Sequence, residues 1–164
     1  MKTAIVYYSM SGNTELVANK VAAYLGERNE VDVIRIIPKK AYPEKGFLKF
    51  FWGGKSAVMA EKPKLLPYEF NQDKYDRIII GTPVWASTFA PPIRSFIDAH
   101  PGIKDKKLAA FLCYSGGGAD KTFEKLKATI GVGEFEAELV LLDPKEKVSE
   151  ENDDKIKHFC DIIG

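Results

Sequence analysis

Residues 7–14, Tyr7-Tyr8-Ser9-Met10-Ser11-Gly12-Asn13-Thr14, join two different periodicities. Behind them lies an unbroken apolar run, Ala4 to Tyr8. Ahead of them Leu16, Val17, Val21, Tyr24 and Leu25 recur at helical spacing as far as Gly26. A continuous apolar strand suits a parallel sheet covered on both faces, and a 3.6-residue stripe suits a helix lying on that sheet. The junction reads as strand, tight turn and helix, the opening half of a β-α-β unit.

The same alternation continues along the chain. Val31 to Ile37, Ile78 to Ile80, Leu108 to Cys113 and Leu139 to Leu142 are the remaining candidate strands. Ile93, Phe96 and Ile97 mark a helix with Pro91-Pro92 in its first turn. Phe123, Leu126 and Ile130 mark another, with Asp120 as expected N-cap and Gly131 as stop. Ile156, Phe159, Cys160 and Ile163 follow Ser149 as N-cap, and Glu150 and Glu151 complement that helix's dipole. The expected fold is α/β: one domain over residues 1–164, built on a doubly wound, five-stranded parallel sheet with helices on both faces.

The connection from residue 38 to residue 76 is longer than a simple crossover needs. It holds Tyr42, Phe47, Phe50, Phe51, Trp52, Tyr68 and Phe70. Pro38 to Lys64 contains seven Lys and two Glu, a local +5. It reads as a helix with flanking coil that covers one face of the sheet, its lysines in solvent, in preference to the alternative of a dedicated binding segment.

The 164 residues carry 24 Lys+Arg and 23 Asp+Glu, a net charge of +1. No global field draws such a chain to nucleic acid or to an anionic membrane. No apolar run approaches the length of a membrane span, and the N-terminal run is too short for a signal-peptide core. Cys113 and Cys160 stand 47 residues apart, and no Cys/His spacing fits a structural zinc site. The expected setting is soluble, reducing and cytoplasmic. The sequence leaves the oligomeric state open.

In a doubly wound sheet, ligands bind beyond the carboxyl ends of the strands. Three loops lie there. Ser9-Met10-Ser11-Gly12-Asn13-Thr14 combines short hydrogen-bonding side chains with a glycine at a helix N-terminus, a pattern that suits phosphate. Neither G-x-x-x-x-G-K-[ST] nor G-x-G-x-x-G occurs, which disfavours Walker-type and Rossmann sites. The second loop, Gly81 to Pro92, carries Trp85, either a planar face for a ligand ring or a plug over the core. The third, Tyr114-Ser115-Gly116-Gly117-Gly118-Ala119-Asp120, offers backbone that can approach a ligand closely, or only a flexible turn.

Taken together, Tyr7 to Thr14, then Gly81-Thr82-Pro83-Val84-Trp85, then Pro91-Pro92-Ile93-Arg94-Ser95-Phe96, resemble the flavodoxin family in order and spacing over nearly the whole chain. The first loop is similar to that family's flavin phosphate loop. The resemblance implies the sheet order 2-1-3-4-5 and bound FMN. It implies that Ser9, Met10, Ser11, Gly12, Asn13 and Thr14 hold the phosphate. Thr82, Pro83, Val84 and Trp85 would flank the isoalloxazine ring, with Trp85 stacking, and Ser115, Gly116, Gly117 and Gly118 would line its pyrimidine side. It further implies electron transfer with redox partner proteins or a reductase, with no catalytic residue. An NAD(P)H-dependent FMN or quinone oxidoreductase and a flavin-free interaction module are the alternatives. The near-neutral charge departs from the acidic surfaces common in the family.

Other residues read as structural. Cys113 is a small buried side chain rather than a reactive thiol. His100 caps a helix end, His158 has no ligand partners, Arg94 is a surface ion-pair partner, and Tyr114 either stacks on a ring or closes its strand.

Overall fold

The computed structural model describes residues 1–43 and 54–164. Its parallel sheet is formed by β1 (Lys2–Tyr7), β2 (Glu30–Arg35), β3 (Arg77–Trp85), β5 (Lys107–Tyr114) and β6 (Glu138–Leu142). β4 (Thr88–Phe89) pairs antiparallel with the end of β3. The spatial order is β2-β1-β3-β5-β6, which is 2-1-3-4-5 when the parallel strands alone are counted. The helices that flank the sheet include α1 (Asn13–Gly26), α2 (Pro91–Ala99), α3 (Ala119–Ile130) and α4 (Glu150–Ile163), and residues 54–58 of the long crossover are helical as well.

Strand side chains alternate between two cores, which explains the unbroken apolar runs. Ala4, Val6, Ile78, Ile80, Leu108, Ala110 and Leu112 pack with Ile93 and Phe96 of α2 and Phe123 and Leu126 of α3. Ile5, Tyr7, Ile79, Ala109 and Phe111 pack on the opposite face with Val17 and Val21 of α1 and Ile156 and Phe159 of α4. In α1 the buried stripe is Thr14, Val17, Ala18, Val21 and Leu25. Leu16 is only half-buried and Tyr24 is exposed, because both lie off the helix face that Thr14, Val17, Ala18, Val21 and Leu25 share. β2 and β6 are the edge strands of the parallel path, and β2 leaves Val33 exposed.

The helix ends follow local chemistry. Ser149 caps α4, its hydroxyl accepting from Asn152 N–H at 3.2 Å. Gly131 ends α3 at φ 89°. The N-cap of α3 is Gly118, not Asp120, since the cap sits at φ 91°, a left-handed conformation that glycine adopts freely.

The segment Gly81–Trp85, expected as loop, is the second half of β3. β1 stops opposite Gly81, while β5 pairs on as far as Pro83. Gly81 C=O accepts from Tyr8 N–H on the β1 side. Two residues on, Pro83 faces that same side, beyond the end of β1, so its missing N–H costs no ladder bond. Strand Gly81 also makes room for its neighbour: a Cβ there would lie 2.2 Å from Cζ of Phe111.

In the long crossover, residues 37–39 and 64–66 run antiparallel, through Lys39 N–H to Lys64 O and Leu66 N–H to Ile37 O, both 2.8 Å. Tyr42, Leu65, Tyr68 and Phe70 pack on the α2 side of the sheet, as a covering segment should. Phe47, Phe50, Phe51 and Trp52 lie outside the described residues. Arg94 has no ion pair among the described residues. Its guanidinium sits 4.5 Å from the Phe89 ring centroid and is 3.4 Å from the Thr129 hydroxyl.

His100 caps α2 through its N–H to Ile97 O, and its ring packs among Tyr68, Phe70 and Phe96. Its Nε2 and the Tyr68 hydroxyl are 2.8 Å apart. Burial lowers its pKa below the ordinary histidine value. As pH falls, the unfolded chain takes up this proton first, so His100 stabilises the fold fully above about pH 6.5 and loses that contribution below it. Urea midpoints at pH 7 and at pH 5.5 are expected to differ more for the natural chain than for His100→Gln. Equal differences would contradict this assignment.

Candidate functional site

Beyond the carboxyl ends of β1, β3 and β5 the three loops enclose a cleft of about 340 Å³. That is within the range of small-ligand sites. The loop residues singled out from sequence line it, except Gly12, Thr82 and Gly118. These three shape the cleft from behind.

Gly12 is the N-cap of α1 at φ 97°. Its N–H donates to Ser9 Oγ at 3.1 Å, and its carbonyl accepts from Leu16 N–H. Ser9 Oγ accepts in that bond, so its own O–H proton remains free to donate outward. The N–H groups of Asn13, Thr14 and Glu15 open the helix and have no intrahelical acceptor. With the helix dipole they make the polar end of the cleft a site for an anion.

Thr82 is fully buried. Its hydroxyl donates to Pro83 O at 2.9 Å and accepts from Ala90 N–H at 3.0 Å. It ties the hairpin base to the start of α2 and leaves Pro83, Val84 and Trp85 to face the cleft. Ala86 and Ser87 turn the hairpin at φ 50° and 58°, a left-handed pair, which is the turn geometry that matches strand twist. Trp85 stands edge-on to Tyr8 at 5.6 Å and to Tyr42 at 5.1 Å between ring centroids. Two aromatic braces thus fix a half-buried indole at the cleft wall.

The glycine loop divides in two. A Cβ at Gly116 or Gly117 would meet nothing within 4 Å, so their backbone is bare towards the cleft. A Cβ at Gly118 would lie 2.3 Å from Ser87 Oγ and 2.8 Å from Ser87 Cα. The hairpin therefore rests directly on Gly118, and Lys125 Nζ holds it again by donating to Ser87 O at 3.0 Å. Tyr114 lines the cleft beside this loop. Cys113 lines it too, but burial pushes its thiol up to about 12, despite a hydrogen bond with Thr14 and with Asp143 adding to the rise. It is a protonated wall residue, not a thiolate. Both cysteines are buried and unbridged.

Four residues reach the cleft that sequence reasoning did not place there. Tyr42 and Gly54 bring the long crossover to the cleft. The loop after β6 supplies Asp143 and Lys145. Asp143, at φ 41°, accepts a hydrogen bond from Ser115 Oγ and donates its N–H to Tyr114 O at 2.9 Å. Lys145 N–H donates to Asn13 Oδ1 at 2.8 Å. The rule that ligands gather beyond strand carboxyl ends, applied to Leu139 to Leu142, points to this loop as well.

Among the described residues no cluster of His, Cys, Asp and Glu fits a metal ion, and no helix is long and apolar enough to cross a membrane.

A sequence model described as flavodoxin matches residues 2–155. Among solved structures, the fold superimposes on a Lactobacillus acidophilus flavoprotein in complex with FMN. The TM-score is 0.72 and the identity 20%, with 88% of this chain and 95% of that chain covered. It superimposes on two-electron reduced Megasphaera elsdenii flavodoxin with a TM-score of 0.62 at 19% identity, covering 97% and 98%. It also matches the rubredoxin oxygen:oxidoreductase of Desulfovibrio gigas with a TM-score of 0.63 at 17% identity, covering 99% of this chain and 35% of that one. At these identities the structural likeness establishes the fold.

Proposed function

The chain belongs to the flavodoxin family, and from that premise we propose that it is an FMN-dependent electron-transfer protein, working in the cytoplasm with redox partner proteins or a reductase. The observation that carries this reading is the cleft itself: unpaired helix-start N–H groups at one end, a braced indole at the wall and bare glycine backbone along the third loop. These features fit the three parts of FMN, a phosphate, a planar ring and a polar pyrimidine edge.

When bound, FMN supplies the electron chemistry. The protein's residues bind, orient and shield. The N–H groups of Asn13, Thr14 and Glu15, with the hydroxyls of Ser9, Ser11 and Thr14, would hold the phosphate. Trp85 would cover one ring face, and Tyr114, which lines the same cleft, would take the other. The N–H groups of residues 115–117 would donate to the ring's oxygens and nitrogens. Thr82 and Gly118 keep these groups in place without touching the ligand.

The second reading is an NAD(P)H-dependent FMN or quinone reductase. The specific observation in its favour is that the long crossover reaches the cleft through Tyr42 and Gly54. Anaerobic mixing of the FMN-loaded protein with NADPH, and separately with NADH, separates the two. The carrier reading expects the visible flavin absorbance to persist with either nucleotide alone, and to bleach once a catalytic amount of an NADPH-dependent flavodoxin reductase is added. Rapid bleaching by the nucleotide alone would replace the carrier reading with the reductase.

A further inference from the structure

We infer that Lys145 is a phosphate-recognition residue, through which this cleft selects a phosphorylated flavin over riboflavin. The inference rests on the FMN reading above and adds a charged group to a loop that contains no cation of its own.

The position of Lys145 is fixed from both ends. Its backbone N–H is bonded to Asn13 Oδ1 at 2.8 Å, and the residue before it is the buried Pro144. Its side chain then runs along Gly12. The Nζ lies 3.2 Å from where a Gly12 Cβ would stand, with Cδ at 3.6 Å and Cε at 3.8 Å. That Nζ donates to Ser11 O at 3.3 Å. The ammonium therefore sits over the same turn whose following N–H groups open α1. An alanine at position 12 would crowd the lysine as well as strain the backbone.

Charge bookkeeping around the loop singles out the same residue. Arg35 also reaches the loop, with Nη2 3.4 Å from Ser9 O, but its Nη1 is paired with Glu15 at 3.0 Å. Lys145 has no ion pair among the described residues, and Ser11 O is the only hydrogen-bond acceptor of its Nζ there. An ammonium has three N–H donors, so two remain for an anion. A phosphate monoester carries between one and two negative charges near neutral pH. Neutral N–H and O–H donors do not match that charge, and a nearby lysine does so as a point charge. Riboflavin, which lacks the phosphate, gains nothing from it.

The test compares the natural chain with Lys145→Gln and Lys145→Arg, both of which keep the backbone bond to Asn13. Flavin-free protein is titrated with FMN and with riboflavin at low and at physiological salt. Lys145→Gln is expected to weaken FMN binding about fivefold at low salt, with less loss as salt screens the pair. Riboflavin binding should stay within about twofold, and Lys145→Arg should restore both FMN affinity and its salt dependence. FMN affinity and salt dependence unchanged in Lys145→Gln would overturn the inference while leaving the FMN reading intact. If the natural chain takes up no FMN, the FMN reading fails, and inorganic phosphate decides on Lys145. Phosphate-induced NMR shifts of the Asn13 and Thr14 amides that weaken in Lys145→Gln would sustain a phosphate role. Their absence, or equal shifts in both proteins, would overturn it.

Discussion

Gly118→Ala is expected to destabilise the protein by about 2–4 kcal/mol, seen as a drop in melting temperature of about 5–15 °C. Two costs add at this position. The residue is the N-cap of α3 at φ 91°, where an alanine strains the backbone. Its Cβ would also stand 2.8 Å from the Cα of Ser87, a backbone atom that cannot rotate away. The hairpin has to lift from α3, straining the donation of Lys125 Nζ to Ser87 O and the packing of Phe89 in the core that Phe123 and Leu126 share. Trp85 sits two residues before Ser87, so FMN affinity should fall with stability. Gly117→Ala is the control, because its Cβ would enter open space. That variant should melt within a degree or two of the natural chain, yet bind FMN less tightly, since in the proposed pose the added methyl would stand where the ring edge approaches. Differential scanning fluorimetry of both variants checks the contrast. Equal melting temperatures for the two would show that the hairpin does not rest on Gly118.

Trp85→Ala is expected to weaken FMN binding about 10–100-fold, the loss of roughly 1–3 kcal/mol that an aromatic platform under a planar ring supplies. Tyr8 and Tyr42 hold the indole edge-on at 5.6 and 5.1 Å, so it is already oriented before the ligand arrives. Trp85→Phe should recover most of the affinity. Riboflavin and FMN should lose affinity in parallel, because the contact is with the ring. That pattern is the opposite of the one expected for Lys145→Gln, which touches only the phosphate. Calorimetric titration of both flavins into Trp85→Ala makes the measurement. Unchanged affinity for both would mean the ring does not lie on Trp85.

The sheet was legible because its pattern is local. Runs such as Ile78-Ile79-Ile80 and Leu108 to Cys113 are apolar at every position, since successive side chains enter different cores. Caps with side-chain chemistry were legible for the same reason, as Ser149 shows. Where backbone conformation decided, the sequence misled. Asp120 has the better capping side chain, but Gly118 is the residue that can adopt φ 91° and accept Ser87 against it. The stretch Gly81–Trp85 looks like a loop because it holds Gly and Pro, yet it is strand, because β1 ends and leaves Pro83 no partner to disappoint.

The three loops of the cleft were legible as motifs, and the structure brings them to one place. What escaped was long-range. Tyr42 reaches Trp85 across the sheet's face, and Lys145 reaches Asn13 from 132 positions away. No spacing in the sequence announces such pairs. Arg94 escaped for a different reason: its partner, five positions away, is the Phe89 ring rather than a carboxylate.

The most direct test of the account is a titration of the flavin-free protein with FMN, followed by flavin fluorescence. The cleft predicts quenching that saturates near equimolar FMN, as the ring comes to rest on Trp85, and a yellow complex that survives gel filtration. Flavin fluorescence that stays unquenched through a large excess of FMN would contradict it, and the three loops would then be turns without a ligand.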